Sequence, residues 1–379
     1  MPGLAFATNF LWVMVIGILG PSLPAMVSDL GITYAQAGFL FTLLSLGSLV
    51  GTSVGGFASD HLPRKALYGG CVLALSAGLL VTGFVQGYVL VALVVFLFSV
   101  FGSPIGAIGQ SIMLSVFPDR RERNLAFMTM FSAMGSFLAP LLVSLCFSLR
   151  LSWRSAFLAT AALAFLVFVS VMIVRIPRAA PTARRGGILG IVRNRGVIVC
   201  AALIFISVGA DIGFSYWLAQ YFRSELHVSL RLSSSVVGLY LVGVITARFL
   251  LPRLLRRHAA RTVLAAGLGL ALVAILSFIF VPVKAVKAAL CAVYGLGIGP
   301  VFPLLVARGT GEFPTRAGAV TGVLYAALSL GGMAFPLLVG AIAARWGIAH
   351  SYVLCAALAA VLLVAALVME GPARGRSAG

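Results

Sequence analysis

The sequence predicts an all-α membrane protein: twelve transmembrane helices in two six-helix bundles related by a pseudo-twofold axis along the membrane normal. Three observations carry that prediction. Of 379 residues, 61% are hydrophobic and only 9% charged, a balance outside the range of soluble globular domains. Apolar runs of about 20 residues, each able to cross about 30 Å of hydrocarbon as a helix, recur along the whole length. The two halves of the chain also repeat one another at a constant offset. In lipid, backbone polar groups must be satisfied within their own segment, so the runs are helices; alternating barrel strands would read quite differently.

The spans fall near 5–27, 36–59, 67–86, 89–116, 125–148, 154–175, 197–222, 232–252, 262–282, 286–308, 317–342 and 348–369. The first has no basic leader and no small-residue cleavage end, so it reads as a retained helix and not as a signal peptide. The net charge of +19 is a matter of topology. With the N-terminus inside, Arg150, Arg154, Arg223, Arg231, Lys284, Lys287 and Arg345 fall in outer loops, and the other 20 of the 27 Lys and Arg fall in inner ones. That asymmetry is the positive-inside rule. It places both termini in the cytoplasm, predicts a multi-pass protein of the cell (inner) membrane, and accounts for the basic character without a nucleic-acid partner.

The longest polar interval, RIPRAAPTARRGGILGIVRNR at 175–195, divides the spans six and six. The expected domains are an N-terminal bundle (1–176), a cytoplasmic linker (177–195) and a C-terminal bundle (196–379). Adding 196 to Phe117, Pro118, Arg120, Gly135, Pro140, Leu141, Leu142, Val143, Ser155 and Leu158 gives the same residue types at Phe313, Pro314, Arg316, Gly331, Pro336, Leu337, Leu338, Val339, Ser351 and Leu354. Six spans is an even number, so both copies enter the membrane from one side and form parallel repeats. A substrate site is then expected between them near mid-bilayer. The fourth span holds FGSPIGAIG (101–109) and the tenth GLGIGP (295–300). Their glycines allow close helix contact, and Pro104 and Pro300 leave backbone bonds unmade where a kinking gate needs them.

Among eight acids only Asp211 lies well inside an apolar span. A charge at that depth costs roughly 3 kcal/mol or more, which makes it a functional candidate by default. It sits 14 residues into the seventh span, roughly 20 Å from the inner face at 1.5 Å per residue. Ser207, Asp211 and Ser215 share one helical stripe, and such a stripe points at protein or water. Three roles stay open for Asp211: carrying a proton between states, bonding permanently to a neighbouring helix, or binding a substrate hydroxyl or amine directly.

The loop after the second span reads Gly56-Phe-Ala-Ser-Asp60-His-Leu-Pro63-Arg64-Lys65. It resembles the signature of the major facilitator superfamily, with Gly56, Asp60, Arg64 and Lys65 matched and Pro63 in place of a glycine. The resemblance implies the fold described above, a latch on the cytoplasmic side, and a central cavity lined by the seventh helix. VGADIGFSYWLAQYF (208–222), GLGIGPVFP (295–303), SLGGMAFPLLVG (329–340) and LGITYAQAGFLFTLLSLG (30–47) are similar to the fucose-permease-like branch of sugar–proton symporters, with Asp211 where that branch has Glu. One departure matters. The branch's best-known members carry a second carboxylate in the fourth span, whereas this chain's only strongly polar side chain there is Gln110, so coupling by two carboxylates does not carry over.

Further cavity candidates are Trp217, Asn9 and Tyr325. Tyr216, Trp217, Tyr221 and Tyr240 gather at the outer ends of the seventh and eighth spans, as an interface belt would, although Trp217 belongs to the branch pattern and an aromatic face stacks on sugars. Arg248 reads as a snorkelling anchor at the inner end of the eighth span. Cys71, Cys146, Cys200, Cys291 and Cys355 lie inside apolar spans without a CxxC pair or a nearby His, so they read as packing residues. No metal or cofactor is expected. His61, His227, His258 and His350 lie at loops. No Ser/His/Asp grouping or nucleotide loop appears in any span, which argues against an enzyme.

The expected function is proton-coupled secondary transport of a small polar solute, a sugar or similar metabolite, by alternating access, with the small-molecule substrate, protons and the lipid bilayer as the partners of a monomer. An exporter of hydrophobic or cationic compounds is the alternative. A non-transporting sensor is the reading from a different class, weakened because no soluble effector domain is attached.

Overall fold

The computed structural model describes residues 2–116, 121–174, 176, 193–311, 313 and 317–368. Among them the helices are α1 (Pro2–Leu30), α2 (Tyr34–His61), α3 (Arg64–Thr82), α4 (Tyr88–Val116), α5 (Arg121–Ser148), α6 (Trp153–Ile173), α7 (Arg195–Ser215), α8 (Leu218–Ser224), α9 (Leu230–Arg257), α10 (Ala260–Phe280), α11 (Lys284–Ile298), α12 (Val301–Gly311), α13 (Ala317–Trp346) and α14 (Ile348–Val368). They make twelve stretches long and apolar enough to cross a membrane, with α7 and α8 together forming the seventh and α11 and α12 the tenth. Large apolar side chains such as Phe84, Val89, Ile173 and Phe280 are more than two-thirds exposed, which an aqueous surface would not tolerate over such an area and a lipid surface requires.

Several expectations lie outside the described residues. They are most of the linker (177–192) with Arg178, Arg184 and Arg185, the repeat markers Phe117, Pro118, Arg120, Pro314 and Arg316, and the C-terminal segment from residue 369. Gly56 and Asp60 fall within α2, but their side chains are likewise outside the described set.

Local chemistry sets the helix ends. α1 stops at Gly31, whose φ of +60° suits a residue without Cβ. α2 starts with a capping box: Gln36 N–H donates to Thr33 Oγ1 at 3.2 Å, and Thr33 N–H donates to Gln36 Oε1 at 2.8 Å. The tenth span breaks at Gly299–Pro300, as the missing proline N–H dictates. The fourth span, in contrast, stays helical through Pro104. The seventh span breaks at Tyr216–Trp217, where the sequence carries no proline.

Contacts divide the chain into two compact units. Unit 1 is Met1–Gly186, Ser215–Gly238 and Gly332–Ile348; unit 2 is Gly187–Phe214, Leu239–Gly331 and Ala349–Gly379. Within unit 1, α2 presses on α4 so closely that a Cβ on Gly51 would stand 2.0 Å from the Val100 carbonyl oxygen. Within unit 2, α9 presses on α11 in the same way, a Cβ on Gly243 standing 1.9 Å from the Ala292 oxygen. Each member of the second pair lies 192 residues after its counterpart. The α1–α5 approach at Gly135 (2.4 Å to Phe10 O) recurs as the α7–α13 approach at Gly331 (2.9 Å to Phe205 O), the glycines 196 residues apart. The internal repeat is thus visible as the same backbone contacts made in each half.

Polar ties complete both units. In unit 1, Asp29 accepts from Trp153 Nε1 at 3.1 Å and pairs with Arg154, joining α1 to α6. Thr8 and Tyr68 hydroxyls meet at 2.5 Å between α1 and α3. In unit 2, Lys287 is not a loop cation as its position implied. It is 4% exposed, and its ammonium donates to the Phe278 carbonyl at the end of α10. An unbonded α10 carbonyl and an ammonium in apolar surroundings satisfy one another there. The five cysteines are buried thiols outside any disulfide.

Because the α2–α4 contact leaves no room for a side chain, Gly51→Val is expected to lower the melting temperature of the purified protein by several degrees, an overpacking cost of about 1–3 kcal/mol. Gly269→Ala, inside α10 with nothing within 4 Å, should not lower it in the same thermal-unfolding measurement and, by helix propensity, should raise it slightly.

Candidate functional site

Asp211 stands 16 residues after the start of α7, a rise of about 24 Å, and its partner comes from α9. Tyr240 donates its phenolic proton to Asp211 Oδ1. One residue earlier, the Ala210 carbonyl accepts from Tyr294 of α11 at 2.7 Å. Phe214, one turn further along α7, packs its ring at 4.2 Å from Tyr294, 5.8 Å from Tyr240, 5.4 Å from Phe278 and 5.3 Å from Tyr352. Asp211 is therefore held at one edge of a fully buried aromatic cluster. The α9–α11 contact brings the two tyrosines together, since Gly295 lies against the Tyr240 carbonyl with space for no Cβ (2.2 Å).

Arg248, two turns beyond Tyr240 on α9, is an electrostatic neighbour of both Asp211 and Tyr325. Tyr325 of α13 is half exposed and meets Phe302 of α12 edge-on at 5.7 Å. Asp211 and Tyr240 thus form a hydrogen-bonded pair within unit 2, with the charge of the exposed Arg248 in the electrostatic surroundings of both Asp211 and Tyr325.

Other candidates fall elsewhere. Ser207 is buried and donates to its own helix at Ile204 O, 2.9 Å, so it does not extend a polar stripe from Asp211. Ser215 is buried at the last residue of α7. Asn9 donates its amide to Met128 O at 3.0 Å and to Ser132 Oγ, tying α1 to α5. Gln110 is exposed on α4. Of the inner-loop motif, Lys65 donates to Met172 O at 2.6 Å and so closes α6 onto the start of α3. The interface-belt reading of the aromatics is corrected: Trp217, Tyr240 and Tyr221 are 0%, 2% and 6% exposed. Tyr240 serves the acid, Trp217 serves the seal described next, and Tyr221 packs against Phe222. Arg248 is exposed on α9, as an anchor would be, and is at the same time an electrostatic neighbour of Asp211. Tyr294 was missed; its one signal was Gly295 beside it, which marks the face of α11 pressed against α9.

Within unit 1, the α1–α2 end is sealed by segments from the second half of the chain. Trp217 meets Tyr34 edge-on at 6.0 Å, and Tyr216 stacks on Phe41 at 4.5 Å. Gln220 Nε2 donates to Tyr34 Oη at 3.3 Å. Thr42 and Ser45 of α2 donate to Met333 O (2.7 Å) and Gly332 O (2.9 Å) of α13, while Ser234 of α9 donates to Pro21 O (2.8 Å) of α1. Backbone meets backbone at the α2–α13 crossing: a Cβ on Gly38 would lie 2.5 Å from Pro336 O, and one on Gly340 2.5 Å from Tyr34 O. Trp217 Nε1 and Gln220 Oε1 are buried in this seal without hydrogen-bond partners.

Comparison with known proteins agrees with this architecture. The sequence model described as Major Facilitator Superfamily matches residues 5–333. Sodium-dependent glucose transporter 1A of Mus musculus is 28% identical over 146 residues, 38% of this chain and 32% of its own length. The chain thus spans about a third of the curated glucose transporter that it matches. The uncharacterized MFS-type transporter YfkL of Bacillus subtilis (strain 168) is 22% identical over 360 residues, covering 90% of this chain and 88% of its own. Among solved structures, nucleoside transporter NupG superposes with a TM-score of 0.79 at 15% identity, covering 97% of this chain and 98% of that one. That likeness is one of fold.

The seal can be probed with a cysteine at Thr42, because the native cysteines are buried. A Thr42→Cys protein should resist a membrane-impermeant maleimide. Adding Gly38→Val, which forces α2 away from α13, should raise the labelling rate severalfold. Equal labelling of the two proteins would show that this crossing does not close that end.

Proposed function

The chain belongs to the Major Facilitator Superfamily, and from that premise we propose that it is a secondary active transporter of a small polar organic solute, a sugar or similar metabolite, coupled to protons and working by alternating access. The observation that carries the reading is the Asp211–Tyr240 pair beside Arg248, far from either end of the seventh span. A lone carboxylate in hydrocarbon is too costly to keep without a role or a partner, and this one has a partner it can exchange. An ionised Asp211 accepts from Tyr240 and attracts Arg248, which ties α7 to α9. Protonation removes the attraction to Arg248 and leaves Tyr240 facing a neutral acid, so the tie loosens. A solute hydroxyl can replace the Tyr240 hydroxyl on the carboxylate, and the half-exposed Tyr325 offers a further polar edge.

Two other observations support the reading. Residues 215–238 and 332–348 of the second half close one end of the first half, as one end of an alternating-access carrier must be closed at a time. The partial relatives named as glucose transporters favour a hydroxyl-rich solute. Their names also specify sodium, so the coupling ion is tested directly.

In proteoliposomes loaded against radiolabelled monosaccharides, an imposed proton gradient should drive accumulation, and Asp211→Asn should abolish it while leaving equilibrium counterflow intact. Accumulation driven by a sodium gradient under clamped pH, or undiminished accumulation by the variant, would remove the proton role from Asp211. Tyr240→Phe keeps the ring and drops the donor. It should lower kcat/KM about tenfold or more, the loss expected for a hydrogen bond to a charged group of about 1.5–3 kcal/mol.

A further inference from the structure

Outside the Asp211 cluster, α9, α10 and α11 leave an open groove of about 390 Å³ on unit 2. Leu250, Leu254, Leu270, Leu296 and Pro300 line it, and its polar side chains, His258 and Thr262, stand at the end where α9 gives way to α10. Leu250, Leu254 and Leu270 are each more than a third exposed. The groove lies along membrane-spanning helices, so whatever fills it is in contact with the bilayer.

The charge at its polar end selects the occupant. Arg257 follows Leu250 by seven residues, 20° short of two full turns, so it sits above Leu250 on the groove side of α9. Arg253 holds its guanidinium over the Phe249 ring at 4.8 Å, and Arg261 caps the end of α14 by donating to the Ala366 and Leu367 carbonyls. Arg257 and His258 carry no such assignment. No Asp or Glu occurs between residues 226 and 311, so this stretch of chain supplies no acid of its own to balance them. The cap residue of α10, Ala259, makes no side-chain hydrogen bond to the helix start, which adds a weak preference for negative charge at the same place.

We propose that this groove holds an anionic phospholipid of the surrounding bilayer, with one acyl chain along Leu250, Leu254 and Leu270 and the phosphate against Arg257, His258 and the start of α10. An apolar channel ending in an arginine and a histidine at a membrane face matches the two ends of such a lipid, the guanidinium answering the phosphate charge and the imidazole able to hydrogen-bond it. A soluble anion has no use for the channel, and a neutral lipid has none for the cations. Pro300, which interrupts the tenth span, forms part of the wall, so the occupant bears directly on that break.

Native mass spectrometry of the intact protein, released from micelles holding equal phosphatidylglycerol and phosphatidylcholine, tests this. The protein should retain phosphatidylglycerol preferentially. The double variant Arg257→Gln/His258→Gln should lower that retention about fivefold or more, the factor expected per cation, with phosphatidylcholine unchanged. Ala266→Phe, which fills the channel, should lower retention of both lipids. Arg256→Gln, on the opposite side of α9, should alter neither. Equal retention of the two lipids, or an undiminished preference in the double variant, overturns the proposal. So does thermal stabilisation by glycerol phosphate without acyl chains, which would assign the cations to a soluble anion, or a dimer peak abolished by Ala266→Phe, which would assign the groove to a second copy. Should Ala266→Phe fail to fold, the double variant, which changes only exposed side chains, decides alone.

Discussion

Apolar side chains gain nothing by meeting one another in hydrocarbon, because the lipid tails they displace are equally apolar. What remains to hold helices together is close packing and polar contact, and both require the backbones to come near. Gly51 of α2 against α4, Gly243 of α9 against α11 and Gly38 of α2 against α13 are positions where this chain permits it. Where backbones touch, hydroxyls of one helix reach carbonyls of the next: Thr42 to Met333, Ser45 to Gly332, Ser76 to Ala161 and Tyr294 to Ala210. Those acceptors are already engaged within their own helices, so such bonds add specificity of register without unmaking the helix.

The acid at the centre of unit 2 depends on the same constraint. Tyr240 and Tyr294 approach α7 together because Gly243 and Gly295 let α9 and α11 collapse onto one another. Widening that contact by one methyl group would move the phenol away from the carboxylate and leave Asp211 with the desolvation cost and no donor. The site is therefore an outcome of helix packing as much as of its own polar residues, and glycines that touch no solute are part of it.

This explains what the sequence disclosed. The spans, the half-and-half repeat and Asp211 were legible because hydropathy, offset and a misplaced charge are properties of the linear chain. The break at Pro300 was legible for the same reason: a missing N–H is written in the residue itself. Tyr240, Tyr294 and Arg248 were not, since which residues of α9 and α11 face α7 is set by interhelical rotation, and an aromatic near a span's end has the same pattern whether it faces lipid or protein. Lys287 misled in the same way: a lysine near an apolar run reads as loop until the end of α10 appears beside it. Ser207 and Asn9 are polar residues that satisfy neighbouring backbone, and sequence alone cannot separate such groups from cavity-lining ones.

The boundary between the two compact units carries the last step. In the second half of the chain it crosses between Phe214 and Ser215, between Gly238 and Leu239, between Gly331 and Gly332, and between Ile348 and Ala349. The first crossing lies at the last residue of α7, beside the α7–α8 interruption; the second and third fall at glycines inside α9 and α13, and the fourth at the start of α14. A helix that changes unit partway along is asked to bend there whenever either unit moves, and a helical glycine or an interrupted turn is where bending is cheapest. Asp211 and Tyr240 each lie within four residues of a crossing. Under the transport reading, the bond between them joins the two points where α7 and α9 would flex. Binding or releasing one proton at that pair then acts on the position of two helix segments at once.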